Sequence, residues 1–197
     1  MTTTELTVKT DRLILRTFEK SDLQEVLGYY SLPDVQRYLD WKARDKTEAK
    51  TAFESLRKQT RLSRPGEVLT LAVVRKSDDK VIGHVSLRYT DATAAQAEVR
   101  FAVAPVYRNT GYGTEAVKAV LTLGFEKFKF HRIFARTAGK NEASARLLKD
   151  LGMRLEAHYR EHALFQGEWD EELHFAILDR EWQRGSKVRE ITRHKVA

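Results

Sequence analysis

Between Arg108 and Ala116 the chain reads RNTGYGTEA: an arginine, then two glycines one residue apart, directly before good helix formers. A helix start of this kind presents unpartnered backbone N–H groups at the positive end of the helix dipole. With an arginine alongside, and glycine permitting close approach, such a turn is suited to hold an anion such as a pyrophosphate. Three patterns compete for the segment. Gly111-x-Gly113-x-x-Ala116 fits the dinucleotide-binding pattern, which also needs an acidic residue about 20 residues on. That region reads His131-Arg132-Ile133-Phe134-Ala135-Arg136-Thr137, without an acid, and the glycines fall late in the chain. A Walker phosphate loop is excluded because no Gly-Lys-Ser/Thr follows. A plain tight turn accounts for one glycine and leaves the second, and Arg108, unused.

Other residues able to do chemistry lie nearby in sequence. Glu98 alternates with Ala97, Val99, Phe101 and Val103 and so projects from the opposite face of a strand. It could act as a general base, directly or through water, or simply pair with Arg100 two residues on. His84, in Val81-Ile82-Gly83-His84, shares a strand face with Ser86 and could line a substrate cleft or be satisfied locally by hydrogen bonds. Asn141 stands where it can cap a helix. His158-Tyr159-Arg160-Glu161-His162 matches a zinc pattern that requires a helix. The alternation of Leu155, Ala157, Tyr159 and Ala163 predicts a strand instead, with histidines about 13 Å apart, so no metal is expected.

The elements that must position these residues follow from periodicity. Strands are expected at 12–18, 68–74, 80–89, 96–103, 132–137, 154–164 and 171–178. Helices are expected after Ser21-x-x-Gln24, after Thr47, over 114–129, and over 141–151 with Gly152 as its stop. The order β-α-α-β-β-β-α-β-α-β-β predicts an α/β domain on a mixed, seven-stranded sheet flanked by helices. Residues 1–182 are expected to form one domain and 183–197 a basic tail. That tail holds five Lys/Arg against one Glu, so +4 of the net +7 lies there. The charge therefore gives little reason to expect sequence-specific nucleic-acid binding. Without cysteine there is neither a disulfide framework nor a thiolate metal site. No run approaches the ~18 apolar residues of a membrane span, so a cytoplasmic protein is expected.

The run Val103-Ala104-Pro105-x-Tyr107-Arg108-x-x-Gly111-Tyr112-Gly113-Thr114-Glu115-Ala116 resembles the acyl-CoA-binding motif of the GNAT acyltransferases, whose core is Gln/Arg-x-x-Gly-x-Gly/Ala. The resemblance extends from Arg12-Leu13-Ile14-Leu15-Arg16 to Asp179-Arg180-Glu181-Trp182. Within that family it is similar to the RimJ/RimL group of ribosomal-protein N-terminal acetyltransferases, at Ala97-Glu98-Val99, Asn141-x-x-Ser144, Leu151-Gly152-Met153 and Gly167-x-Trp169-x-Asp170. It implies a GNAT fold splayed at the strands around 97–103 and 132–137, with acetyl-CoA as co-substrate in the opening. Backbone of Asn109, Thr110, Gly111, Tyr112, Gly113 and Thr114, with the Arg108 side chain, would take the pyrophosphate. Main chain at Phe101, Ala102 and Val103 would pair with pantetheine, and Asn141 would bond the same arm. Tyr38 and Trp41 would lie in the helical region near the acceptor side, with core packing as the competing reading, and His84 is the candidate for substrate contact on the strand. Many GNAT enzymes place a proton-donating tyrosine seven residues after the motif asparagine; here that position is Leu148, and Ser144 is either the substitute the RimJ/RimL group suggests or a first-turn serine placed for local hydrogen bonding. Arg100 departs from the glycine usual there and could lower the basicity of Glu98.

The implied activity is transfer of acetyl to a primary amine by direct attack in a ternary complex, the amine being a protein N-terminus. A small amine such as a polyamine or antibiotic, a non-catalytic acyl-CoA-binding regulator, and an RNA-associated module are the alternatives. A monomer or a homodimer is equally compatible with the sequence.

Overall fold

The computed structural model describes residues 6–32, 35, 46–165 and 167–183. Tyr38, Trp41 and the tail from 184 lie outside the described residues. Strands β1 (Val8–Lys9) and β2 (Leu13–Arg16) come first, then helices α1 (Leu23–Tyr30) and α2 (Lys46–Lys58). Strands β3 (Val68–Arg75), β4 (Lys80–Asp91) and β5 (Gln96–Val103) follow as a meander. Helix α3 (Tyr112–Glu126), strand β6 (Arg132–Ala138), helix α4 (Glu142–Asp150) and the hairpin β7 (Arg154–Phe165) and β8 (Glu168–Leu178) complete the order. Among the described residues the sheet has eight strands in the order β1-β2-β3-β4-β5-β6-β8-β7, one more than expected, because Val8 and Lys9 pair with Leu15 and Ile14 ahead of the first foreseen strand. Among the described residues no helix is long and apolar enough to cross a membrane.

Two apolar layers sandwich the sheet. On one face Leu13, Leu71, Val85 and Val99 pack against Val117, Val120 and Leu121 of α3 and Leu148 of α4. On the other, Ala72, Val74 and Val81 pack under Val26, Tyr29 and Tyr30 of α1 and Phe53 of α2. Burying the interior of β4 from Val81 to Leu87 on both sides explains why its run is almost continuously apolar.

The sheet opens at one place. β5 and β6 are its parallel pair, and they are bonded only over Gln96–Glu98 against Arg132–Phe134. Beyond that both strands continue, β5 to Val103 held by β4 and β6 to Ala138 held by β8. The strands therefore diverge, and the inner edges from Val99 and Ala135 onward lack a partner strand. This is the splay expected around 97–103 and 132–137.

Local signals decided most elements, but several boundaries shifted: β8 begins at Glu168 rather than 171, β2 ends at Arg16 rather than 18, and α3 ends at Glu126 rather than 129. α3 begins at Tyr112, two residues earlier than expected, with Gly111 as N-cap. The capping box before α1 is formed by Glu19 and Asp22 rather than by Ser21 and Gln24. Asp22 is fixed there by Arg16, whose two terminal nitrogens each donate to it at 2.8 Å, so a tertiary ion pair chose the cap. Gly152 ends α4 as foreseen, with φ of 87° and the N–H of Met153 reaching back to the Leu148 carbonyl at 3.0 Å.

Candidate active site

A cleft of about 1120 Å³ runs through the splay and joins the two faces of the sheet. Its wall on the α3 side is made largely of main chain. Asn109 and Gly111 take the left-handed conformation, with φ of 59° and 82°. Asparagine and glycine tolerate that region best. The alternation turns the chain into α3 so that the first-turn N–H groups of Tyr112, Gly113 and Thr114 have no acceptor within the helix. Gly113 also has a packing role. A Cβ there would meet the Leu147 Cδ1 at 3.0 Å and the Val103 Cγ2 at 3.5 Å, so it allows α3 to close against α4 and β5. The Arg108 Nε donates to the Val103 carbonyl at 3.3 Å, tying the turn to the end of β5.

Across the opening stands the start of α4. Asn141 is its N-cap, and the Asn141 Oδ1 accepts the Ser144 N–H at 3.2 Å. The carbonyl end of Asn141 is thus engaged by the helix, and its amide nitrogen is the end suited to a ligand carbonyl. The Ser144 contact uses main chain, so capping does not depend on its hydroxyl. Both residues line the cleft, and Leu148 is buried in the core without exposure.

The wall on the α1 side is made of side chains. Strand register aligns them in rows: Ala72, His84 and Ala102; then Thr70, Ser86 and Arg100; then Val68, Arg88, Glu98 and Phe134. Glu98 is 3% exposed and its Oε1 accepts from Arg136 Nε at 2.9 Å and pairs with Arg100 Nε at 3.1 Å. Burial pushes this carboxyl up, but the hydrogen bonds and charges of Arg136 and Arg100 outweigh burial and hold it below the usual range. It is an anion at neutral pH. The pairing with Arg100 was legible in the sequence; Arg136 was not, being 38 residues away. Its only advance sign is parity, since Arg136 follows Phe134 by two and Phe134 is registered with Glu98.

His84 is 8% exposed, and its Nδ1 lies 3.2 Å from the Tyr29 hydroxyl and 3.3 Å from that of Tyr30. Burial pushes its pKa down to about 4 and raises those of Tyr29 and Tyr30. All three are therefore neutral at pH 7, and His84 and Tyr30 border the cleft.

On the β7–β8 hairpin the H-x-x-E-H run is extended and bulged, with the register shifting between Tyr159 and Ala163 and Glu161 at φ of 48°. His158 bonds Glu171 at 2.6 Å while His162 approaches Glu172 at 3.8 Å. Among the described residues no group of three or more histidines, aspartates or glutamates is placed to hold a metal ion.

A cleft crossing a splayed sheet, with a helix start presenting backbone N–H groups on one side and an open strand edge leading from it, has the shape to seat a long phosphorylated thioester in extended form. The opposite face can receive a second reactant at the thioester end. Comparisons with known proteins agree. The Acetyltransferase (GNAT) domain model matches residues 12–154. The uncharacterized N-acetyltransferase YnaD of Bacillus subtilis (strain 168) is 32% identical over 175 residues, covering 89% of this chain and 98% of that protein. At the level of fold, the ribosomal-protein-S5-alanine acetyltransferase of Vibrio fischeri superposes with a TM-score of 0.76 at 20% identity, covering 90% of this chain and 98% of that one. The spermidine N-acetyltransferase of Vibrio cholerae, solved with CoA and spermine, gives 0.75 at 18%, covering 88% and 99%. The chain belongs to the GNAT acetyltransferase family and is an acetyl-CoA-dependent N-acetyltransferase.

Proposed function

We propose that this enzyme acetylates the N-terminal amine of a protein or peptide, as the RimJ/RimL resemblance implies. The supporting observation is the state of the carboxylates on the acceptor wall. A polyamine carries several cations and needs several carboxylates turned toward it. Here Glu98 is paired with Arg100 and Arg136, Glu171 and Glu172 are hydrogen-bonded to His158 and His174 at 2.6 Å, and Asp170 accepts the Glu171 N–H at 2.8 Å. One reacting amine at the end of an otherwise uncharged backbone suits such a wall better than a chain of ammonium groups. The fold does not decide the matter, because the ribosomal-protein and spermidine enzymes superpose equally well.

In this reading the pyrophosphate of the donor docks on the N–H groups from Asn109 to Thr114 beside Arg108. Its pantetheine arm pairs as an added strand with the open edge of β5 at Phe101, Ala102 and Val103, steadied by the Asn141 amide. The acceptor reaches the thioester from the face carrying Glu98 and His84. The amine must lose its proton before it can attack. Glu98 stands as an anion at the splay, and two arginines make it a weak base, so it draws the proton through water. The amine nitrogen bonds to the carbonyl carbon, the carbon–sulfur bond breaks, and coenzyme A leaves as a thiolate. The Ser144 hydroxyl donates a hydrogen bond to the developing sulfur charge. With no cysteine in the chain, acetyl passes directly from donor to acceptor.

The test is thiol release from acetyl-CoA across a panel of peptides with free or blocked N-termini, spermidine and an aminoglycoside. Turnover of free-terminus peptides, lost on blocking even when lysines remain, is the expected result. Turnover of spermidine or the aminoglycoside without any peptide would overturn the acceptor assignment. Coenzyme A binding without turnover of any amine would favour a regulator.

A further inference from the structure

Glu115 lies in the first turn of α3, beside the N–H groups proposed to bind pyrophosphate. A carboxylate at that end of a helix competes with a bound anion for the dipole and repels it. In this molecule it is turned aside and compensated. Its Oε1 accepts from the Thr10 hydroxyl at 2.6 Å and from the Arg12 N–H at 2.8 Å. Its Oε2 accepts from the Arg12 Nε at 2.7 Å. These partners are more than 100 residues away in sequence, on the approach to β2.

The same arginine continues past Glu115 into the turn. Its Nη1 donates to the Thr110 carbonyl at 3.0 Å, and its guanidinium lies 4.4 Å from the centre of the Tyr112 ring. One side chain thus holds the residues immediately before and after Gly111. It passes so close that a Cβ on Gly111 would come within 3.2 Å of its Nη2. A trans peptide points its C=O and N–H in opposite directions. Pinning the Thr110 carbonyl to Arg12 therefore aims the Gly111 N–H away from Arg12, toward the side where an anion would sit.

We propose that Arg12 is a positioning residue for the donor's pyrophosphate: it fixes the Thr110–Gly111 peptide with its N–H directed at the anion and neutralises Glu115, leaving the positive end of α3 to the ligand. The proposal rests on the reading that pyrophosphate binds at this turn. It assigns a role in donor binding to the segment before β2, whose described residues do not line the cleft. Arg12 is half exposed, and the ring it covers, Tyr112, lies at the margin of the apolar layer rather than inside it, so its replacement need not disturb the core.

The experiment compares coenzyme A, by calorimetry, with S-acetylpantetheine, which lacks the pyrophosphate, by NMR titration. Arg12→Gln should weaken coenzyme A by about tenfold or more and leave S-acetylpantetheine unchanged. Arg12→Lys, which keeps the charge without the fork, should fall between. Adding Glu115→Gln to Arg12→Gln should restore part of the lost affinity by removing the uncompensated carboxylate. Equal weakening of both ligands would mean a general folding role and overturn the proposal, as would unchanged coenzyme A affinity in Arg12→Gln. Gly111→Val separates the two levels. If it leaves coenzyme A affinity intact, the turn is not the pyrophosphate site and both readings fall. If it abolishes binding while Arg12→Gln does not, the site stands and the role of Arg12 falls.

Discussion

The two walls of the cleft are built from different materials. On the α3 side the groups available to a ligand are backbone N–H and C=O, set in place by two left-handed residues, a helix start and a strand edge. On the α1 side they are side chains: a histidine between two tyrosines and a glutamate between two arginines. Backbone presents the same groups whatever the side chains, so it suits a donor that never changes. A wall of side chains can be altered residue by residue, and that suits a family whose acceptors vary. The difference also divides the consequences of mutation, since the first wall fails through geometry and the second through charge and chemistry.

The largest effect is expected where the backbone wall depends on one conformation. Gly111 has φ of 82°, and any Cβ there meets Arg12. A β-branched residue at such an angle is strained by about 1–3 kcal/mol before that contact is counted. Gly111→Val should therefore weaken coenzyme A by at least roughly a hundredfold while circular dichroism shows a folded protein. Binding within a few-fold of the parent would mean that this wall is not the donor's.

An intermediate effect tests where the walls meet. Ser144→Ala should lower turnover by roughly ten- to a hundredfold, the worth of one hydrogen bond to a developing charge, with acetyl-CoA affinity unchanged. The α4 cap should survive, because Asn141 accepts from the Ser144 main chain. Full turnover in the alanine variant would assign the leaving sulfur's proton to water or to the acceptor.

Glu98→Gln belongs to the second wall alone. Turnover at neutral pH should fall about tenfold or more, with little change in acetyl-CoA affinity, and the deficit should shrink at high pH, where the amine deprotonates unaided. Equal activity at every pH would leave Glu98 as an ion-pair partner only.

The smallest effect separates the walls by titration. Burial lowers the His84 pKa to about 4. Between that value and the ordinary ~6.5 the unfolded chain binds a proton that the folded protein refuses. Stability should thus decline as pH falls through this interval. Glu98 acts at lower pH: its carboxyl is depressed in the fold, so its contribution is present above the ordinary carboxylate value of ~4.3 and is lost as pH falls through the folded value. Melting temperatures of the parent and His84→Gln should differ in slope between about pH 6.5 and 4. Parallel curves would show that His84 is not held neutral by the wall around it.

What the sequence disclosed follows the same division. The glycine turn, the clean alternation of β5, the Asn141 cap and the Gly152 stop are local patterns, and each appears in the fold. The opening between β5 and β6 was implied by family resemblance rather than by periodicity. Contacts that bridge distant segments stayed hidden: Glu98 with Arg136, Glu115 with Arg12, and His84 with Tyr29 and Tyr30 are separated by 38, 103 and 55 or 54 residues. Composition cannot indicate which arginine among many will meet which carboxylate. The misplaced cap before α1 has the same origin, because Arg16 selected Asp22. The extra two-residue strand β1 is too short to carry a period.

The most direct test of the two-walled account is an NMR titration of the backbone amides with coenzyme A. The account predicts that the largest shifts fall on Phe101 to Val103 and Asn109 to Thr114, with the amides of Thr70, Ser86 and His84 little changed until an acceptor peptide is added. Largest shifts at Thr70, Ser86 and His84 on coenzyme A addition, with the glycine turn unmoved, would contradict it.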